Sequence, residues 1–137
     1  MVQLFWHKIG LHYNVKNLLL ITLLAFGLNT FAQAPKATFE KKGLKFENVK
    51  EGSVLEFYYY FTNTGSIDLK LNHVHPTCGC TVADYPTYAI KPGQRDSIHI
   101  KFDTKGRVGY NAKGVNLETN GGEVNLVFEA EVVATKD

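Results

Sequence analysis

The sequence predicts an all-β chain: an immunoglobulin-like β-sandwich of about seven strands, preceded by a signal peptide. Three observations carry that expectation. Runs of a few residues alternate apolar and polar side chains with period two, the mark of a strand with one buried and one wet face. Glycine-bearing turn signals separate these runs at short intervals. No window beyond residue 32 sustains a helical period.

Residues 1–32 read as a signal peptide rather than part of the fold. Met1 to Asn17 carry His7, Lys8 and Lys16 and no acid, and the apolar run Leu18 to Leu28 follows. Small residues then close the segment through Thr30-Phe31-Ala32-Gln33-Ala34-Pro35. A basic region, a short apolar core and a small-x-small exit make a secretory leader. The apolar run is shorter than the roughly 20 residues of a membrane span, so the mature chain is expected to have no transmembrane segment. Cleavage is expected after Ala32, leaving residues 33–137 as one Ig-like domain; a cut after Ala34 would put Pro35 at the scissile bond. No cysteine lies near the site, which sets it apart from a lipoprotein signal. An uncleaved N-terminal anchor is the alternative.

Along residues 33–137 the turn signals are Lys42-Gly43, Glu51-Gly52, Asn63-Thr64-Gly65, Pro92-Gly93, Lys105-Gly106 with Gly109, and Asn120-Gly121-Gly122. Between them, Leu55, Phe57, Tyr59 and Phe61 share one face while Glu56, Tyr58, Tyr60 and Thr62 share the other. Ile98, Ile100 and Phe102 alternate with His99 and Lys101. Val115, Leu117 and Thr119 alternate with Asn116 and Glu118. Val124, Leu126, Phe128, Ala130 and Val132 form the last inward set. The final two strands are expected to be a hairpin, with Asn120-Gly121-Gly122 supplying positive φ angles for a tight turn.

Charge narrows the partners. The chain carries 15 basic and 13 acidic residues, and the leader holds Lys8 and Lys16 with no acid, so the mature domain balances at 13 of each. A neutral domain gives no reason to expect nucleic acid or an anionic membrane. Export places it in an oxidising compartment, where two cysteines are as readily paired as free.

Five ordered motifs give a family resemblance. Phe46-x-x-Val49-x-x-Gly52, Phe61-x-Asn63-Thr64-Gly65, Cys78-Gly79-Cys80-Thr81, Ile90-x-Pro92-Gly93 and Phe102-Asp103-Thr104-x-Gly106-Arg107-x-Gly109 precede Asn120. Together they resemble the bacterial domain of unknown function 1573 over nearly the whole mature chain. The resemblance implies an immunoglobulin-like fold, related to domains of sperm-protein and ciliary scaffolds, in mostly exported proteins with no agreed activity. His73 and His75 depart from the family pattern, so a role needing both would belong to this member.

The segment His73-Val74-His75-Pro76-Thr77-Cys78-Gly79-Cys80 holds both cysteines and two of the five histidines. Three readings stay open for it. In the first, Cys78 and Cys80 form a local disulfide or pack as small apolar groups, with Gly79 adopting a conformation closed to other residues. In the second, His73, His75, Cys78 and Cys80 bind copper or zinc, with Pro76 turning the chain so that the two pairs converge. In the third, the cysteines exchange disulfides, although no predicted helix supplies the field that lowers a thiol pKa.

Elsewhere the chemistry is sparse. Asp103 is expected to accept backbone donors in a turn, with Arg107 paired to a carboxylate. Ser53 and Ser66 sit beside glycines in turns, without the elbow a nucleophile needs. Asp96 and His99 share a strand region, but nothing completes a triad. Tyr58 and Tyr60 form an exposed aromatic pair suited to an interface. Tyr85 and Tyr88, in the loop Asp84–Ile90, extend the candidate surface, which is expected to include the cysteines. The expected function is therefore a non-catalytic, exported interaction or structural module of the periplasm or cell envelope, or one passed outside the cell. It has no resident cofactor, and its partner is another envelope or secreted protein. Copper or zinc binding and a thiol–disulfide role are the alternatives.

Overall fold

Side-chain alternation in the longer segments is answered by two facing sheets. The computed structural model describes residues 33–135, so the expected signal peptide lies outside the described residues. The strands are β1 (Ala37–Phe39), β2 (Gly43–Lys50), β3 (Val54–Asn63), β4 (Leu71–Pro76), β5 (Thr81–Asp84), β6 (Arg95–Asp103), β7 (Gly109–Thr119) and β8 (Gly122–Val133). One sheet has the order β1-β3-β6-β5 and the other β2-β8-β7-β4. Pairing is antiparallel throughout except between β2 and β8, which run parallel. The all-β sandwich matches expectation, with eight strands rather than about seven. Both β1 and β5 are too short to display a period. Among the described residues no helix is long and apolar enough to cross a membrane.

The inward positions are those the alternation marks. Phe57, Tyr59 and Phe61 of β3, with Ile98, Ile100 and Phe102 of β6, meet Val115 and Leu117 of β7 and Leu126, Phe128 and Ala130 of β8. Aromatic edges knit the layers: Phe57 and Phe128 centroids lie 5.0 Å apart, and Phe102 and Phe128 5.3 Å. Burying each such ring contributes about 1.5–3 kcal/mol. One polar tie crosses between sheets, as the Tyr59 hydroxyl donates to Val127 O at 2.7 Å.

Two polar knots hold the ends. Asn63 is fully buried at the end of β3. Its Nδ2 donates to Ile67 O and Ile90 O, both at 2.8 Å, and its Oδ1 accepts the Gly65 amide at 3.0 Å. It thereby ties together the loops leading into β4 and β6, where Leu69 and Ile90 also pair. Nearby the strap Ala34–Lys36 is held by Thr64 N donating to Lys36 O at 2.9 Å and Ser66 N donating to Ala34 O at 3.1 Å. Any side chain at Gly65 would run into the strap backbone, and one at Gly121 would meet Pro35 O.

The hairpin between β7 and β8 forms as expected, but its glycines act differently. Positive φ falls on Gly122 (111°) and on neither Asn120 nor Gly121. Gly121 is small because the strap passes over it. Asn120 instead binds sideways, accepting Lys70 N at 2.9 Å and donating to Asp68 O at 2.9 Å.

Candidate functional site

The two cysteines occupy the turn that carries the chain from β4 in one sheet to β5 in the other. Both ends of that turn are pinned. Thr77 exchanges bonds with Gly114 of β7, its amide donating to Gly114 O at 2.9 Å and its hydroxyl accepting Gly114 N at 3.0 Å. Asp103 N donates to Cys80 O at 2.9 Å, and Thr81 N to Cys78 O at 3.3 Å. Within this frame Cys78 and Cys80 are joined as a disulfide, with Cα atoms 5.3 Å apart. A fully extended chain would hold i and i+2 near the upper limit for such a bond; the turn brings them within it. Gly79 is not the reason. Its φ is not positive and a Cβ there would meet nothing, so the conformation is open to other residues, against expectation.

The disulfide lies in a cleft of about 550 Å³ whose wall includes Val82, Lys101 and Arg107. The hydroxyl of buried Thr81 sits 3.4 Å from Cys78 Sγ and 3.8 Å from Cys80 Sγ. Cys80 packs against the core and Cys78 does not. The cations of this cleft went unplaced in the sequence because they come from β6 and the loop after it. Only the pairing of Thr81 with Phe102 brings them alongside the cysteines.

The histidine pair does not join the sulfurs. His73 and His75 are exposed on β4, their rings stacked at 5.5 Å and 21°. Pro76 does not turn them inward; it continues β4 and pairs with Val115. Among the described residues no three His, Cys, Asp or Glu side chains come together as a metal site. The combined site of His73, His75, Cys78 and Cys80 is therefore not assembled, and the sulfurs are bonded to each other.

Asp103 accepts a backbone donor, the Lys105 amide at 3.0 Å. Arg107 departs from expectation, because its Nε donates to the carbonyl of Asp103 at 3.1 Å rather than to a carboxylate. The Asp-Thr turn also holds buried Thr104, whose hydroxyl reaches Ser53 O at 2.7 Å and Lys50 O at 3.0 Å.

The outer face of the β3–β6 sheet carries the aromatic groups. Tyr58 and Tyr60 are stacked at 6.0 Å, and His99 stacks on Tyr58 at 4.4 Å and 9°. The Arg95 guanidinium lies 4.0 Å over the Tyr60 ring, while its Nε donates to Glu40 at 2.7 Å. That bond raises the Arg95 pKa further. His99 has Glu56 at 2.9 Å from Nε2, off the line of a hydrogen bond, and Asp84 at 3.9 Å from Nδ1. Sequence reading missed the His99 position because the strand register creates it, setting Tyr58 and Asp84 opposite His99 on either side.

Tyr85 is half-buried against the core, and Tyr88 is exposed with its hydroxyl donating to Asp96 at 2.6 Å, which raises the phenol pKa. Their loop leaves β5 at Asp84, the opposite end from the cysteines, and none of its residues lines the cleft. The loop touches the cleft wall through Asp84, whose Oδ2 lies 3.5 Å from Lys101 Nζ, while Tyr85 and Tyr88 do not line the cleft.

Tyr58 and Tyr60 border a second groove, of about 230 Å³, with Glu40, Lys41 and Leu44. Here, among the described residues, β3 has no strand beside it on one side over most of its length. β1 meets it only at Phe61–Asn63, followed by Glu40 N donating to Tyr60 O at 3.0 Å. Backbone polarity alternates along an antiparallel strand, so the N–H and C=O groups of Tyr58 and Glu56 face the same open edge.

Comparison with known proteins identifies the family and the fold. The family described as "Protein of unknown function (DUF1573)" matches residues 37–132. No curated protein matches the chain. Among solved structures, it is similar to the ASH/PapD-like domain of human CEP192 (PapD-like domain 7), at 15% identity over 75% of this chain and 89% of that one, with TM-score 0.63. A protein of unknown function from Porphyromonas gingivalis W83 aligns at 19% identity over 77% of this chain and 50% of that chain, with TM-score 0.64. The YadV chaperone aligns at 8% identity over 74% and 54%, with TM-score 0.54. At such identities the likeness is one of fold, an immunoglobulin-like or PapD-like sandwich.

Proposed function

Because this chain belongs to the DUF1573 family, whose description carries no activity, we propose its role from its own geometry. The domain is an exported, non-catalytic interaction module of the periplasm or cell envelope. It binds an extended segment of another envelope or secreted protein along the open edge of β3. The observation behind this reading is that edge itself: Glu56 and Tyr58 present backbone donors and acceptors with no strand beside them among the described residues. An added strand would satisfy those groups, with specificity from side-chain pockets along the groove. Tyr58 and Tyr60 offer apolar area with hydroxyl groups, and Glu40 and Lys41 add charge of both signs at the rim.

Photocrosslinking in the exporting cell tests the reading. A photoreactive residue at Lys41 or Tyr58 should give a discrete protein adduct, and one at Asn125, on the outer face of the other sheet, should not. Replacing Glu56 by Pro removes an edge donor, so it should abolish the Lys41 adduct while the sandwich stays folded. Equal crosslinking from all three positions, or an adduct indifferent to Glu56→Pro, would refute strand addition.

A further inference from the structure

We propose that the Cys78–Cys80 disulfide is an exchange site that accepts two electrons from a dithiol of an exported protein or peptide entering the cleft. The site is separate from the β3 edge groove and does not depend on it.

Five observations carry the inference. The disulfide spans a sequence separation of only 2, so it restrains little of the unfolded chain and is a poor structural staple. The turn keeps its anchors without it, through Thr77 to Gly114 and Asp103 to Cys80. The bond is partly exposed in a cleft shared with Lys101 and Arg107, and cations beside a sulfur favour its thiolate. Two carboxylates offset part of that field: Asp103, which also lines the cleft and accepts the Lys105 amide, and Asp84, whose Oδ2 lies 3.5 Å from Lys101 Nζ. Finally, the Thr81 hydroxyl stands within reach of both sulfurs, ready to donate to whichever leaves as an anion. Val54 and Val82, 55% and 56% exposed, supply an apolar rim for the side chains flanking the incoming cysteine.

The electron count closes. A thiolate of the incoming dithiol attacks one sulfur, Cys78 being the one not packed on the core. The Cys78–Cys80 bond breaks and Cys80 leaves as thiolate, keeping the electron pair, while a mixed disulfide forms at Cys78. The second thiol of the substrate loses its proton and attacks its own sulfur in that mixed bond. Cys78 departs as thiolate, and the substrate leaves as a disulfide. Two electrons have passed to this domain, and the two protons released by the substrate reside on its thiols or in solvent. The step is stoichiometric.

The test uses protein purified from the exporting cell and reduced dithiothreitol as probe. Thiols are counted by alkylation and intact mass, with circular dichroism followed in parallel. Both cysteines should be reduced at least about tenfold faster than the disulfide of oxidised glutathione, with the strand signal unchanged. Lys101→Ala/Arg107→Ala should slow the reaction about fivefold, Lys101→Arg should preserve it, and 1 M salt should slow the wild type while leaving the double variant unaffected. Reduction no faster than glutathione disulfide, reduction only on unfolding, a rate indifferent to the two cations, or isolation with both thiols already free would overturn the proposal.

Discussion

Replacing Tyr59 by Phe should destabilise the domain near neutral pH and lose that penalty in alkali. Tyr59 is 1% exposed, and its hydroxyl forms the polar tie between the sheets, donating to Val127 O at 2.7 Å. Removing a neutral hydrogen bond of this kind costs about 1 kcal/mol, which lowers the melting temperature of a domain this size by about 4–8 °C. Burial raises the Tyr59 pKa well above the ordinary tyrosine value. The sign follows from which state ionises first. The unfolded chain releases this proton near pH 10 while the folded chain holds it, so the contribution is intact below pH 10 and lost as pH rises. At pH 11 the wild type should have lost about 1.4 kcal/mol from this one group, a loss the Phe variant cannot suffer. Every other side chain is common to the two proteins, so its contribution cancels in the difference. Urea unfolding followed by circular dichroism at pH 7 and pH 11 measures both quantities. The wild type should be the more stable at pH 7, and the two should be equal or reversed at pH 11. A stability difference that does not change between these pH values would refute the argument that Tyr59 stays protonated in the fold.

Two further outcomes follow from the polar contacts. Asn63→Ala removes the side-chain partner of Ile67 O, Gly65 N and Lys36 N and leaves Ile90 O with Leu69 N alone, so it should cost about 3 kcal/mol and lower the melting temperature by more than about 12 °C in calorimetry. Cys78→Ser/Cys80→Ser should cost less than about 2 kcal/mol in urea unfolding, because the loop it opens is so short.

The sequence disclosed whatever repeats locally. Period two in Leu55–Thr62, Ile98–Phe102, Val115–Thr119 and Val124–Val132 names the inward faces of β3, β6, β7 and β8, because burial of one face imposes that period. Hidden instead were features that arise from register. Nothing near Cys78 in the chain announces Lys101 or Arg107, and nothing near Tyr58 announces His99; each is delivered by a neighbouring strand. Asn63 was legible only as a turn residue, since one of the carbonyls it binds, Ile90 O, belongs to a loop 27 residues away. Spacing misled at the histidines. Same-face placement of His73 and His75 was correct, but that face is the outer one, and Pro76 extends the strand instead of folding it toward the sulfurs.

The strap that passes over Gly65 and Gly121 makes the domain sensitive to where its front is trimmed. A peptidase cutting behind Ala32 would leave the Ala34 carbonyl in place for Ser66; one cutting behind Ala34 would discard it and put a free amine on Pro35, hard against a crowded pair of turns. The choice between two neighbouring alanines is therefore also a choice between a tethered and a loosened first strand.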